Sequence, residues 1–87
     1  MYRQGIKVLN KYFQLMEYEV LEIDDNVVTL YDTIEDTILE KSISSWCTEL
    51  IGMLLYKVYQ DSNNKEIVDG LTTEISVLTK LKKIVEE

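Results

Sequence analysis

Histidine and proline are missing from this sequence, and cysteine and glycine are scarce. The 87 residues contain no His, no Pro, one Cys and three Gly. With Cys47 alone, an intrachain disulfide is excluded, and so are zinc sites of the ordinary His and Cys kind. The same absences exclude the Ser-His-Asp and Cys-His arrangements of hydrolases. Gly5, Gly52 and Gly70 are also too far apart to form a G-x-G-x-x-G or Walker phosphate loop.

Long hydrophobic runs are also absent. No apolar stretch approaches the roughly 18–20 residues of a membrane span, and the longest, residues 50–56, is interrupted by Gly52. Residues 1–16 lack the continuous apolar segment of a secretory signal. We therefore expect one compact domain over residues 1–87, located in the cytoplasm and without a cofactor.

The charge of the chain, formally −7, is concentrated in its middle third. Residues 1–16 carry three basic side chains and no acidic ones, whereas residues 17–40 carry no Lys or Arg. The nine carboxylates of that segment belong to Glu17, Glu19, Glu22, Asp24, Asp25, Asp32, Glu35, Asp36 and Glu40. Direct binding to nucleic acid is disfavoured because it requires a basic surface.

The first third of the chain predicts a helix followed by a β-hairpin. Apolar residues recur every three or four positions from Tyr2 to Met16, which is typical of an amphipathic helix. The segments YEVLEID and NVVTLYD are rich in β-branched and aromatic residues, and residues 24–26 between them form the expected turn. Their alternation is imperfect, so we expect either a bulge near Leu21 or partial cover on both faces.

Residues 32–43 are ambiguous. Thr33 followed by Asp36 resembles a helix start, and Ile34 with Ile38 fits a helical spacing. Alternate residues from Thr37 to Ile43 would equally suit a third strand. We favour the helix.

The second half of the chain predicts helices. The segment SSWCTELIGMLLYKVY carries a helical apolar stripe, with Ser44 or Ser45 as its N-cap, Trp46 as a core anchor and Cys47 buried. The last helix starts after Asn64 or, if residues 56–69 form a second hairpin, near Thr72. The fold class is thus α+β: a small single domain with an N-terminal helix, an antiparallel β-hairpin and two or three further helices.

The acidic segment is the main candidate for function. Clustered carboxylates within a Debye length of about 8 Å repel each other, so their concentration costs stability and is not explained by solubility alone. We hypothesise a non-enzymatic module that binds a protein with a basic, nucleic-acid-binding surface, such as a phage or mobile-element inhibitor of a host defence enzyme. The predicted contacts are the nine carboxylates together with Tyr18 and Tyr31.

Three alternatives stay open. The acidic segment could be only a solvated hairpin face that prevents edge aggregation. A carboxylate metal site is weakly indicated, because no EF-hand pattern is present, and we predict no metal site and no catalytic residues. A small structural or regulatory homo-oligomer, for example a homodimer, could instead form through the C-terminal helix, using Leu71, Ile75, Leu78 and Val85.

Overall fold

Three helices and one three-stranded sheet make up the computed structural model, which describes residues 2–87. The elements are helix α1 (Arg3–Leu15), strands β1 (Tyr18–Asp24), β2 (Val27–Asp32) and β3 (Thr37–Ser42), and helices α2 (Ile43–Gln60) and α3 (Lys65–Val85). The predicted α+β class is confirmed, with an N-terminal helix, an antiparallel hairpin and two later helices. Within residues 2–87, no helix combines the length and hydropathy needed to cross a membrane.

The sheet is a meander in which β2 is the central strand and pairs antiparallel with both β1 and β3. The predicted turn between β1 and β2 is confirmed, and Asp25 within it adopts a φ of 54°. Asp tolerates this left-handed conformation better than most residues, which fits its place in a tight turn.

A β-bulge at Leu21 explains the imperfect alternation of β1. Leu21 is the extra residue, since Val20 and Glu22 oppose two consecutive residues of β2. The bulge lets Tyr18, Val20 and Ile23 all pack against the core although their spacings are two and three residues. Of the two expectations for this strand, the bulge is therefore confirmed.

The helix that we favoured for residues 32–43 is wrong, because residues 33–36 form a turn and Thr37–Ser42 form β3. One oxygen of Asp32 accepts hydrogen bonds from the backbone N–H groups of residues 34 and 35, each at 3.0 Å. Asp36 has a φ of 56°, which ends any helical path. Pairing with β2 then satisfies the backbone groups of β3 that face it.

Helix α2 begins earlier than predicted. Ser42 is its N-cap, and the Ser42 hydroxyl oxygen accepts a hydrogen bond from the backbone N–H of Ser45 at 3.0 Å. The predicted caps Ser44 and Ser45 are therefore wrong, because both lie inside the first helical turn.

Helix α3 is one continuous helix that starts after Asn64. The Asn64 side-chain oxygen accepts from the backbone N–H of Ile67 at 3.3 Å. Residues 56–69 therefore hold two helix ends and a short turn rather than a hairpin, and Gly70 lies inside the helix. Of the two predicted starts, Asn64 is confirmed.

The core lies between the three helices and one face of the sheet. Its fully or almost fully buried members are Leu9, Phe13, Val28, Leu30, Ile43, Trp46, Cys47, Leu50, Leu54, Leu78 and Leu81. The predicted burial of Trp46 and Cys47 is confirmed. The Trp46 ring meets Phe13 edge to face, with the ring centroids 5.1 Å apart.

Candidate functional site

The face of the sheet that points away from the helices is the candidate site. Val28 and Leu30 of β2 are fully buried, so the alternate residues of β2 lie on the opposite side. Strand register places neighbours from β1 and β3 beside them. We call this surface the outer sheet face; it consists of Glu19, Glu22, Asp24, Val27, Thr29, Tyr31, Ile38 and Glu40.

The outer sheet face has exposed apolar groups at its centre and on one edge. Glu19, Tyr31 and Ile38 form one row across the three strands. Ile38 is 68% exposed and Val27 is 37% exposed, and Leu21 in the neighbouring bulge is 49% exposed. A protein surface with several such groups close together is a candidate contact area.

Carboxylates lie on both edges of the outer sheet face. Glu19, Glu22 and Asp24 come from β1, and Glu40 comes from β3. Glu22 and Glu40 oppose the same residue, Thr29, from its two sides. Since neighbouring strands are about 4.8 Å apart, the backbones of Glu22 and Glu40 are separated by roughly 10 Å. The apolar groups therefore lie beside a line of three carboxylates on β1, and Ile38 shares the edge strand β3 with Glu40.

No basic side chain neutralises these charges within residues 2–87. The ion pairs of that part of the chain join Lys11 to Glu74, Lys82 to Glu86 and Lys41 to Glu49. Lys41 is the base nearest in sequence to the acidic segment, but it lies on the inner face, with its amine 4.6 Å from the centre of the Trp46 ring. All nine carboxylates of residues 17–40 thus lack a basic partner in the described structure.

The acidic residues outside the outer sheet face lie at the two ends of the sheet. Asp25 is in the β1–β2 turn, while Asp32, Glu35 and Asp36 surround the β2–β3 turn. Asp32 organises that turn through its two backbone hydrogen bonds. These ends extend the negative surface beyond the face itself.

Tyr31 is tied to the β2–β3 turn. Its hydroxyl donates a hydrogen bond to a carboxylate oxygen of Asp36. This bond, followed by partial desolvation and the nearby charges of Glu19 and Asp32, raises the pKa of Tyr31 above its ordinary value. The Tyr31 ring on the outer sheet face is thus linked by its hydroxyl to the neighbouring β2–β3 turn.

Glu17 and Tyr18 differ from the other predicted contacts. Glu17 precedes β1 with a φ of 63°, and its backbone carbonyl accepts from Thr33. Tyr18 lies on the inner face, where its ring meets Phe13 and Trp46 at centroid distances of 6.5 and 5.7 Å. We therefore leave Tyr18 out of the candidate contact surface, because it belongs to the aromatic packing of the core.

The predicted oligomer contacts on α3 pack mainly inside the chain. Leu78 is fully buried, and Leu71, Ile75 and Val85 are partly buried against the core. Burying this stripe within one chain leaves little of it for a second copy. A contact through the three partly buried residues stays a prediction.

The described structure offers few side chains for metal binding or for thiol chemistry. Among residues 2–87, no three His, Cys, Asp or Glu side chains come together as a group that could hold a metal ion. Burial raises the pKa of the Cys47 thiol to about 11, so at neutral pH it is protonated and enclosed.

Sequence reasoning missed Ile38 and Leu21 as surface groups. The spacing of Ile38 from Ile34 fits a helix, whereas the alternate residues Thr37, Leu39, Lys41 and Ile43 equally suit a strand, which would place Ile38 on its opposite face. The sequence indicates a bulge near Leu21, but only the strand register shows that Leu21 is the residue without a partner in β2.

Comparison with protein-family models, with curated proteins and with solved structures finds no match for this chain.

Proposed function

We propose that this chain is a non-enzymatic, acidic protein-binding module whose outer sheet face docks onto a basic surface of another protein. In its most concrete form, it is an inhibitor of the phage or mobile-element type. Such an inhibitor acts in the cytoplasm and occupies the nucleic-acid-binding surface of a host defence enzyme. One observation carries the proposal: exposed apolar groups lie beside carboxylates that have no basic partner within residues 2–87.

The charge density of the outer sheet face resembles that of a nucleic-acid strand. From Glu19 to Asp24 the strand extends about 17 Å at roughly 3.3 Å per residue. Three carboxylates on that length and Glu40 opposite give about one charge per 4 Å, compared with one per about 3.4 Å along a single DNA strand. A basic groove that holds a phosphate backbone would therefore attract this surface, and the attraction would weaken with salt.

The exposed apolar groups would supply binding affinity that the charges alone do not. Charged groups at the edge of an interface mainly raise the association rate and select the partner, whereas a desolvated centre supplies most of the affinity. Ile38 on the edge strand β3 and Tyr31 on the central strand β2 are adjacent and together offer apolar area that a partner could cover. The hydrogen bond from Tyr31 to Asp36 holds the ring in place before binding, which lowers the entropy cost of docking.

The test starts from a photo-crosslinking amino acid introduced at position 38 and, as a control, at Lys83 on α3. Both proteins are irradiated in a lysate of the natural host, and the captured partner is identified and purified. The proposal expects capture from position 38 only, by a basic nucleic-acid-binding protein, and loss of capture when DNA or RNA is added in excess. Equal capture from both positions, or capture that nucleic acid does not reduce, would contradict it.

Matched charge variants separate the outer sheet face from net charge. The face variant carries Glu19→Gln, Glu22→Gln and Glu40→Gln. The control variant removes the same charge from exposed positions on α3 and beyond it, with Glu66→Gln, Asp69→Asn and Glu87→Gln. We expect only the face variant to bind the purified partner more weakly, with a smaller dependence on salt. If neither variant changes binding, the acidic segment is a solvated surface without a docking role.

A further inference from the structure

Helix α2 exposes an apolar surface that the sheet and the other helices leave uncovered. Residues at positions 45, 48, 49, 52, 55, 56 and 59 share one side of a helix because their spacings are three and four. All seven are exposed. We call this side the α2 outer face; it consists of Ser45, Thr48, Glu49, Gly52, Leu55, Tyr56 and Tyr59.

The large groups of the α2 outer face are strongly exposed. Tyr59 is 80% exposed, Tyr56 63% and Leu55 54%, and the adjacent Met53 is 54% exposed. With about 200 Å² per aromatic side chain, the two tyrosines alone expose roughly 290 Å². Adding Leu55 and Met53 gives the size of the largest patches that monomers show, and a substantial part of the roughly 800 Å² that each partner buries in a stable complex.

The charge of α2 favours a second copy of this chain as the occupant. Residues 17–42 carry nine acids and one base, so two copies repel each other through most approaches. Helix α2 has one acid and one base, Glu49 and Lys57, and is therefore neutral. Glu49 is also paired with Lys41 of its own chain. Contact through this face thus brings no unpaired charge into the interface.

The shape of the α2 outer face is also complementary to itself. Ser45 and Thr48 are small and share the first half with Glu49, whereas Leu55, Tyr56 and Tyr59 make the second half large. A twofold axis through Gly52 places an antiparallel second helix so that position 59 opposes 45 and position 56 opposes 48. Each tyrosine then lies over a small residue of the other copy, as an isologous interface requires.

Gly52 occupies the centre of this arrangement. A Cβ added there meets nothing within 4 Å, so the single chain does not need glycine at this position. Glycine inside a helix is less stable than alanine, but it allows two helices to approach closely. We infer that the chain forms a symmetric homodimer in which the α2 outer faces of two copies pack antiparallel about Gly52.

Disulfide trapping tests this geometry directly. For helix axes about 8–10 Å apart, the Cα atoms of the two residues 52 face each other across the twofold axis at roughly 3.5–5.5 Å, and the upper half of that range suits a disulfide. The native Cys47 is buried, so it contributes little background. Gly52→Cys should form an intermolecular disulfide quickly in dilute, mildly oxidising solution. Gly70→Cys is the matched control, because Gly70 is also an exposed helical glycine with nothing within 4 Å of an added Cβ.

Sedimentation equilibrium supplies the second measurement. The mass of the wild type should rise with concentration towards twice that of one chain. Tyr56→Arg and Tyr59→Arg should each weaken the dimer by about 30-fold or more, the effect of losing a hot-spot side chain. Ile38→Thr on the outer sheet face should leave the dimer unchanged, which separates this inference from the proposed function. Circular dichroism confirms that each variant is folded.

Three results would overturn the inference. The first is a wild-type mass that stays that of one chain at every concentration, which would leave the α2 outer face to a different protein. The second is crosslinking of Gly70→Cys as fast as that of Gly52→Cys. The third is a dimer that both arginine variants leave intact.

Discussion

Replacing Gly5 by alanine would test how closely α1 packs against α3. A Cβ built on Gly5 lies 2.7 Å from the Leu81 Cβ and 2.9 Å from the Leu81 Cδ2. Both distances are below normal contact, and Leu81 is fully buried in the core. Because the Cβ of Leu81 is bonded directly to the α3 backbone, a rotation of its side chain cannot relieve the clash. The two helices would have to move apart.

Two opposing effects determine how Gly5→Ala changes the free energy of unfolding. Alanine is better than glycine inside a helix by about 1 kcal/mol, whereas forcing extra volume into a packed core costs about 1–3 kcal/mol. We expect the cost to dominate, so that Gly5→Ala lowers the free energy of unfolding by about 1 kcal/mol. Gly70→Ala gains the helix propensity without a clash and should raise it by a similar amount.

Thermal and urea unfolding, followed by circular dichroism, would measure this difference. For a domain of this size, about 1 kcal/mol corresponds to a shift in Tm of roughly 4–8 °C. The two variants should therefore shift Tm in opposite directions. A Gly5→Ala protein as stable as Gly70→Ala would refute the close packing of α1 on α3.

Three further predictions concern the helix cap, the buried thiol and the two sides of the sheet. Ser42→Ala should lower the free energy of unfolding by about 1 kcal/mol because α2 loses its N-cap, and a smaller effect than that of Ser44→Ala would contradict the observed helix start. Burial raises the pKa of Cys47 to about 11, so the folded thiol stays protonated while the unfolded thiol ionises near pH 9. Stability should therefore fall between pH 9 and 11 by up to about 2–3 kcal/mol more in the wild type than in Cys47→Ala, as urea titrations at each pH would measure. Leu30→Ala should destabilise by about 2–5 kcal/mol and Ile38→Thr by less than about 0.5 kcal/mol, since only Leu30 is buried, and similar losses in both would contradict the assignment of the two faces.

The parts of the fold that local pattern determines were predictable. Helix α1 follows from apolar spacings of three and four, and the β1–β2 hairpin follows from two β-rich segments around a polar turn. Strand β3 was not predictable from the local pattern, because Thr33 and Asp36 have the spacing that is typical of a helix start. Pairing with β2, which ends directly before Thr33, decides between the two structures, and the apolar spacing within residues 32–43 does not reveal that pairing.

The candidate site was predictable as a segment but not as a surface. The concentration of carboxylates in residues 17–40 is visible in the sequence, and five of the predicted contacts do lie on the outer sheet face. The bulge and the strand register decide which side chains point outward, so Tyr18 joined the core while Tyr31 stayed at the surface. The same information was needed to find Ile38. The α2 outer face was not predicted, because the apolar residues of α2 include both the buried stripe and the exposed side, and the sequence does not separate them.

The proposed docking of the outer sheet face on a basic protein depends on its unpaired carboxylates. The most direct test measures the affinity of the partner captured from position 38 for the wild type, the face variant and the control variant over a series of salt concentrations. The face variant should bind at least about 10-fold more weakly at low salt, the difference should shrink as salt rises, and the control variant should bind like the wild type. Equal losses of affinity in the two variants, or no loss in either, would contradict docking through these carboxylates.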